Sequence, residues 1–247
     1  MGKVLIGLVI GLLIGGVATF YFFVGVPRAE QAPGTPIQKP DPSGPSAGTA
    51  QIVLRQALFN EVLSTIFHDM SDPTFALTGG SVPPPSADGC ASAITILEQG
   101  SGAQTGVNFQ NNRLEAPIAF SGAYNSAFGC FRFNGWANSV MELRFDQSTQ
   151  SVFGQLNVET VNLDNVNPLI NSIVTPVVQS TLNARVNPIK IVDGQQIAVN
   201  LPIESANGTL VANVTDVRAE VTENALNLFV QYDVTGGQSG QSEQPPQ

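Results

Sequence analysis

The sequence predicts an α+β domain, a strongly curved antiparallel β-sheet wrapped around a long, kinked amphipathic helix, preceded by one N-terminal transmembrane helix. Three observations carry this expectation. Val4 to Val26 is 23 residues without a charge, long enough to cross a bilayer. Leu163, Val166, Leu169, Ile170, Ile173, Val174 and Val177 recur at steps of three and four, the spacing of one helix face. From Ala93 onward the apolar period changes to two, as in half-buried strands.

Taken in order, residues 1–26 are expected to form an uncleaved anchor. The apolar run exceeds a typical signal-peptide core, and no small-x-small cleavage site follows it. A cleaved signal is the alternative. Lys3 and the amino terminus against Arg28 favour an N-inside, C-outside orientation. Gly7, Gly11 and Gly15 make a smooth strip that suits a helix–helix contact, hence an anchor-mediated oligomer. Residues 27–48 hold six prolines and no apolar period, which predicts an extended, semi-rigid tether.

The folded domain is expected over 49–235. Thr49 is placed as the cap of a first helix with Ile52, Phe59, Val62, Leu63, Ile66, Phe67 and Met70 on one face, ending before Ser71-Asp72-Pro73. Leu54 and Leu58 lie on its other side. Strands follow. Leu114, Ile118, Phe120 and Tyr124 alternate with polar residues, as do Met141, Leu143 and Phe145. Gln147 to Gln150 reads as a polar turn, and Ser151 to Leu163 as a long returning strand. Asp193-Gly194 is a tight-turn signal. Ile197 to Ile203 and Leu226 to Val234 complete the sheet, and a Gly/Gln/Ser-rich tail over 236–247 predicts disorder.

The central helix is the segment around which the domain is organised. Asn167 before Pro168 supplies a cap and a proline at the first helical position. Pro176 removes one ladder hydrogen bond and predicts a kink. Beyond it Val178, Leu182 and Val186 rotate off the first stripe. The polar face is Asn, Ser, Thr and Gln with almost no charge except Asp164 and Arg185. A membrane-surface helix would carry Lys and Arg there, so the helix is expected to lie against a sheet.

Charge narrows the partners. The formal net charge is −9, and from Thr49 onward 7 Lys/Arg face 17 Asp/Glu. Nucleic acid binding is built on Lys and Arg and is not expected. The single histidine, His68, sits beside Asp69 with no Cys/His/carboxylate cluster at ligand spacing. Gly-x-Ser-x-Gly, Walker-type and Gly-x-Gly-x-x-Gly motifs are absent. Glu220 and Glu223 read as solvated carboxylates rather than a catalytic pair. No enzyme activity, cofactor or metal is expected. Cys90 and Cys130 are the only cysteines. In an oxidising compartment they invite one disulfide, with two buried free thiols as the alternative. Asn207-Gly-Thr and Asn213-Val-Thr match the glycosylation pattern.

The anchor, the long amphipathic helix within a meander, and the closing strand Ala225 to Tyr232 (ALNLFVQY) resemble the TULIP-like lipid-binding superfamily. That group includes bactericidal/permeability-increasing proteins, synaptotagmin-like mitochondrial lipid-binding domains and small bacterial periplasmic relatives. The resemblance spans roughly residues 49–235. It implies a sheet rolled around a helix, leaving an apolar groove for acyl chains. The acidic ectodomain departs from the cationic endotoxin-binding members. Ile170, Ile173, Val174 and Val177 on the helix, with Phe120, Leu143 and Leu228 across from them, are the expected groove residues. The expected function is a lipid-binding or lipid-transfer protein of the bacterial inner membrane, single-pass, with its C-terminal domain in the periplasm. The alternative is a non-catalytic envelope assembly or scaffold protein with a solid core and an envelope protein as partner.

Overall fold

The computed structural model of the 247-residue chain describes residues 30–42, 44, 48–77, 82, 90–110, 112–126, 129–164, 166–197, 199–203 and 208–238. The chain opens with β1 (Thr35–Pro36) and β2 (Thr49–Arg55), followed by α1 (Gln56–Asp69). Next come β3 (Thr74–Ala76), β4 (Ala93–Leu97), β5 (Gln99–Gly100), β6 (Ala103–Gln104) and β7 (Asn108–Gln110). Three long strands, β8 (Arg113–Ser126), β9 (Gly129–Asp146) and β10 (Ser151–Asp164), lead into α2 (Pro168–Arg185). The chain ends through β11 (Ile189–Val192), α3 (Gly194–Ile197), β12 (Val199–Ile203), β13 (Gly208–Val221) and β14 (Ala225–Gln238).

Strands dominate. The first sheet runs β11-β10-β9-β8-β4-β3, with β1 beside β9 and β7 beside β8. It curls into a half-barrel. The second sheet runs β12-β13-β14-β2, and all named strand pairs are antiparallel. Period-two patterning explains why. In β9 every odd position from Phe133 to Phe145 is buried, while Arg132, Asn134 and Glu142 are exposed. Bulges between Val158 and Thr160 and between Val214 and Asp216 shift the register within two long strand pairs, and such bulges bend a sheet. Leu226, Leu228 and Val230 of the second sheet meet Phe120, Leu143 and Val152 of the first in one hydrophobic cluster. Gly122 and Gly135 make room for the edge-to-face rings of Phe120 and Phe133, 6.3 Å apart.

This architecture corrects the expected fold class. The domain is mostly antiparallel β, and among the described residues there is no long kinked helix as an axis. α2 has 18 residues and packs mainly on β10, while also touching β3 toward the other end of the first sheet. Its Val174, Val178 and Leu182 follow at steps of four and are buried, with Val177 and Thr181 in the adjoining row. One broad stripe therefore passes Pro176 without a change of buried face. Pro176 itself is exposed.

The charge-poor polar face of α2 has a structural cause. β11 covers β10 only over Val152 to Gly154, leaving backbone groups of Leu156 and Val158 open. Asn187, just past α2, accepts from the Leu156 N–H at 2.6 Å and donates to the Leu156 carbonyl at 2.7 Å. Asn183 accepts from the Val158 N–H at 2.9 Å, and Gln179 donates to the Val158 carbonyl at 2.8 Å. Side-chain amides spaced by four thus take the place of a neighbouring strand. α1 repeats the device on β7 and the residue before it. Asn60 accepts from the Val107 N–H at 2.8 Å and Gln56 from the Phe109 N–H at 2.9 Å.

Other expectations are also revised. Thr49 opens a strand, not a helix, and α1 begins at Gln56. No residue of α1 is fully buried: Phe59, Leu63 and Phe67 pack on the core while Leu58, Val62 and Met70 are exposed. Gly194 starts the single turn of α3 rather than a hairpin turn. β14 continues through Gly236 to Gln238. The expected anchor over Val4 to Val26 lies outside the described residues. Among the described residues no helix is long and apolar enough to cross a membrane, since that requires about 20 predominantly apolar residues. No described helix supports the expected single-pass inner-membrane placement.

Candidate ligand cleft between the sheets

Residues 30–42 fall in the stretch expected as a tether, yet they run across the sheets. The Ala32 N–H donates to Gln155 Oε1 at 2.5 Å, and Ala32 is buried. Gly34 has φ +86°, and a Cβ there would collide with the Phe145 carbonyl, so glycine is required by both conformation and space. The Arg144 guanidinium caps the Gly34 carbonyl. β1 then pairs Thr35 with Phe145 and Pro36 with Arg144, and the Ile37 N–H donates to the Leu143 carbonyl at 2.9 Å. On its other side Gln38 bridges Arg218 of β13, and the Ala219 N–H donates to the Gln38 carbonyl at 3.0 Å. The segment stitches the two sheets together.

Beside this seam lies a cleft of about 420 Å³. Ile37, Leu114, Met141, Leu143 and Val221 give it apolar surface, and Lys39, Arg113, Glu142 and Glu159 line it with charge. Arg113 pairs with Glu159 at 2.7 Å, and Arg144 reaches Glu142 at 3.4 Å. Asn112 sits in the β7–β8 turn with φ +61°, a conformation asparagine tolerates better than most residues. In the amide orientation assigned to satisfy both neighbours, its nitrogen donates to the Val221 carbonyl at 2.6 Å and its oxygen accepts from Lys39 Nζ at 2.6 Å. The volume falls within the range of small-molecule sites, and the cleft is open to solvent along one side with a mixed apolar and charged lining.

The seven expected groove residues divide. Phe120, Leu143, Val174, Val177 and Leu228 are buried in the continuous core cluster, and Ile170 packs against it. Ile173 is 42% exposed and points away from that cluster. Leu143 alone of the seven also borders the cleft. Sequence reading missed Lys39, Asn112 and Arg113. Lys39 lies in the proline-rich stretch set aside as a tether, and Arg113 reads in sequence only as a polar position alternating with Leu114.

Cys90 and Cys130 form a disulfide with Cα atoms 6.0 Å apart. His68 is exposed, with Nδ1 2.9 Å from the Ser64 carbonyl. Among the described residues no group of three or more His, Cys, Asp or Glu could hold a metal. Glu220 and Glu223 are exposed. Burial raises the Tyr232 phenol, whose hydroxyl donates to the Ile197 carbonyl at 2.7 Å. Hydrogen bonds from Thr149 and then Ser148 hold Asp146 below its ordinary value; this cluster closes the β9–β10 turn, away from the cleft lining. No protein-family model matches the chain, and no curated protein matches it.

Proposed function

We propose that this protein is a non-catalytic binder of a lipid-like amphiphile, taken up in the cleft between the two sheets. The observation that supports the reading is the cleft's lining, an apolar surface next to a charged rim. An apolar chain leaving water for such a surface gains about 0.8 kcal/mol per buried CH₂. The cargo class agrees with what the TULIP-like resemblance implies, although the binding place differs from a helix–sheet groove. Lipid extraction and native mass spectrometry of the purified full chain test it. The expected result is a bound amphiphile in the wild type that is lost in Val221→Trp, which fills the cleft from the margin of the core cluster, with thermal unfolding checking that the variant is folded. A clean apo mass together with no uptake of added dodecanoate would count against it.

A second reading, an assembly or scaffold protein with a solid core, is favoured by one observation. Five of the seven expected groove residues are packed inside the continuous core cluster. Stable co-purification of a protein partner with an empty cleft would support that reading instead.

A further inference from the structure

Resting on the reading of the cleft as an amphiphile site, we propose that its occupant carries a single anionic head, a carboxylate received by Lys39. The argument is one of charge. Glu159 is held by Arg113 at 2.7 Å and Glu142 by Arg144 at 3.4 Å. Both acids of the rim are thus partnered by guanidinium groups. Lys39 Nζ meets the neutral amide oxygen of Asn112, and none of the ion pairs among the described residues includes it. Among the described residues the rim is left with one cation that no carboxylate balances, in a chain whose net charge is −9.

Position reinforces charge. Lys39 is exposed, so its ammonium stays accessible to a ligand head. The Asn112 amide is fixed by its bond to the Val221 carbonyl, which turns its oxygen toward Nζ and orients the ammonium. An ammonium has three donors, so two remain for a ligand. Ile37, just past β1, and Val221 at the end of β13 offer apolar surface to the ligand's chain. A carboxylate head gains a charge-assisted hydrogen bond there. A hydroxyl head can accept a hydrogen bond there but makes no ion pair, and a quaternary ammonium head is repelled.

Titration of the full chain with dodecanoate and with dodecanol, each kept monomeric, tests the assignment. Dodecanoate is expected to bind about twofold to fivefold more tightly, the range of a solvent-exposed charge contact. That preference should shrink as salt rises. Lys39→Met should lower dodecanoate affinity to that of dodecanol, and Lys39→Arg should restore most of the preference. Thermal unfolding of each variant separates loss of the head contact from loss of the fold, and the salt dependence of the wild type tests the charge without any variant. Equal binding of both probes by the wild type, or a preference that survives Lys39→Met, would overturn the head-group assignment and leave the cleft reading intact. Binding of neither probe would overturn both.

Discussion

The side-chain amide of Asn187 pairs with both backbone groups of Leu156, accepting at 2.6 Å and donating at 2.7 Å. A neighbouring strand would make the same two bonds. Asn187→Ala leaves a part-buried N–H and carbonyl without partners, which costs about 1–3 kcal/mol. Asn187→Asp keeps the acceptor but sets a carboxylate against the Leu156 carbonyl, so it should be at least as destabilising. Denaturant unfolding of the two variants checks the order.

Neighbouring positions on α2 should differ sharply. Ile173 is exposed, so Ile173→Ala should stay within about 0.5 kcal/mol of wild type. Leu182 is fully buried, and Leu182→Ala should cost about 2–5 kcal/mol through lost transfer energy and a residual cavity. Equal costs would contradict the orientation of the helix.

Gly34→Ala should loosen the segment that joins the sheets. The substitution places a methyl group against the Phe145 carbonyl and strains a positive φ, at a cost exceeding about 1 kcal/mol. Limited proteolysis should then cut between residues 30 and 48 faster than in the wild type. An unchanged cleavage pattern would mean the segment does not depend on this contact.

The disulfide closes a loop with a sequence separation of 40. Replacing both cysteines by serine should lower stability by about 4 kcal/mol in the chain-entropy account. Under denaturing, non-reducing conditions a thiol reagent should modify neither cysteine; two modified thiols would refute the bridge.

Asp146 sets a direction for pH dependence. Its carboxyl is held below the ordinary value by Thr149 and Ser148, so the turn's contribution is fully present above the unfolded carboxylate range and is lost as pH falls through the lower folded value. Asp146→Asn should flatten that part of the acid-unfolding profile. An identical slope in the variant would show that the turn does not contribute.

Strands were readable where one face is wet and the other dry. Met141, Leu143 and Phe145 alternate with polar neighbours, and all three are buried as that alternation implies. The disulfide was also legible, because two cysteines allow only one intramolecular pairing. The first helix was misplaced because Ile52 fits the helical stripe that continues through Phe59 as well as it fits a strand pairing. β2 is a strand because its partner is β14, some 170 residues away in sequence, which no local window contains. The Asn and Gln residues of α2 looked unusual in sequence, but nothing local says that an open strand edge is their partner. Lys39 was hidden for the same reason. Proline-rich composition suggests a spacer, and only the long-range pairing with β9 and β13 makes the segment part of the domain.

That segment has a mechanical consequence. One of its edges is bonded to Leu143 and Phe145, and the other to Ala219. A load applied from the amino-terminal side would therefore not simply stretch a leash. It would act on hydrogen bonds shared by the two sheets, and rupture there would open the seam and the cleft in a single event. Single-molecule pulling would read this as one force peak arising near residues 35–38, preceding the unravelling of the long strands.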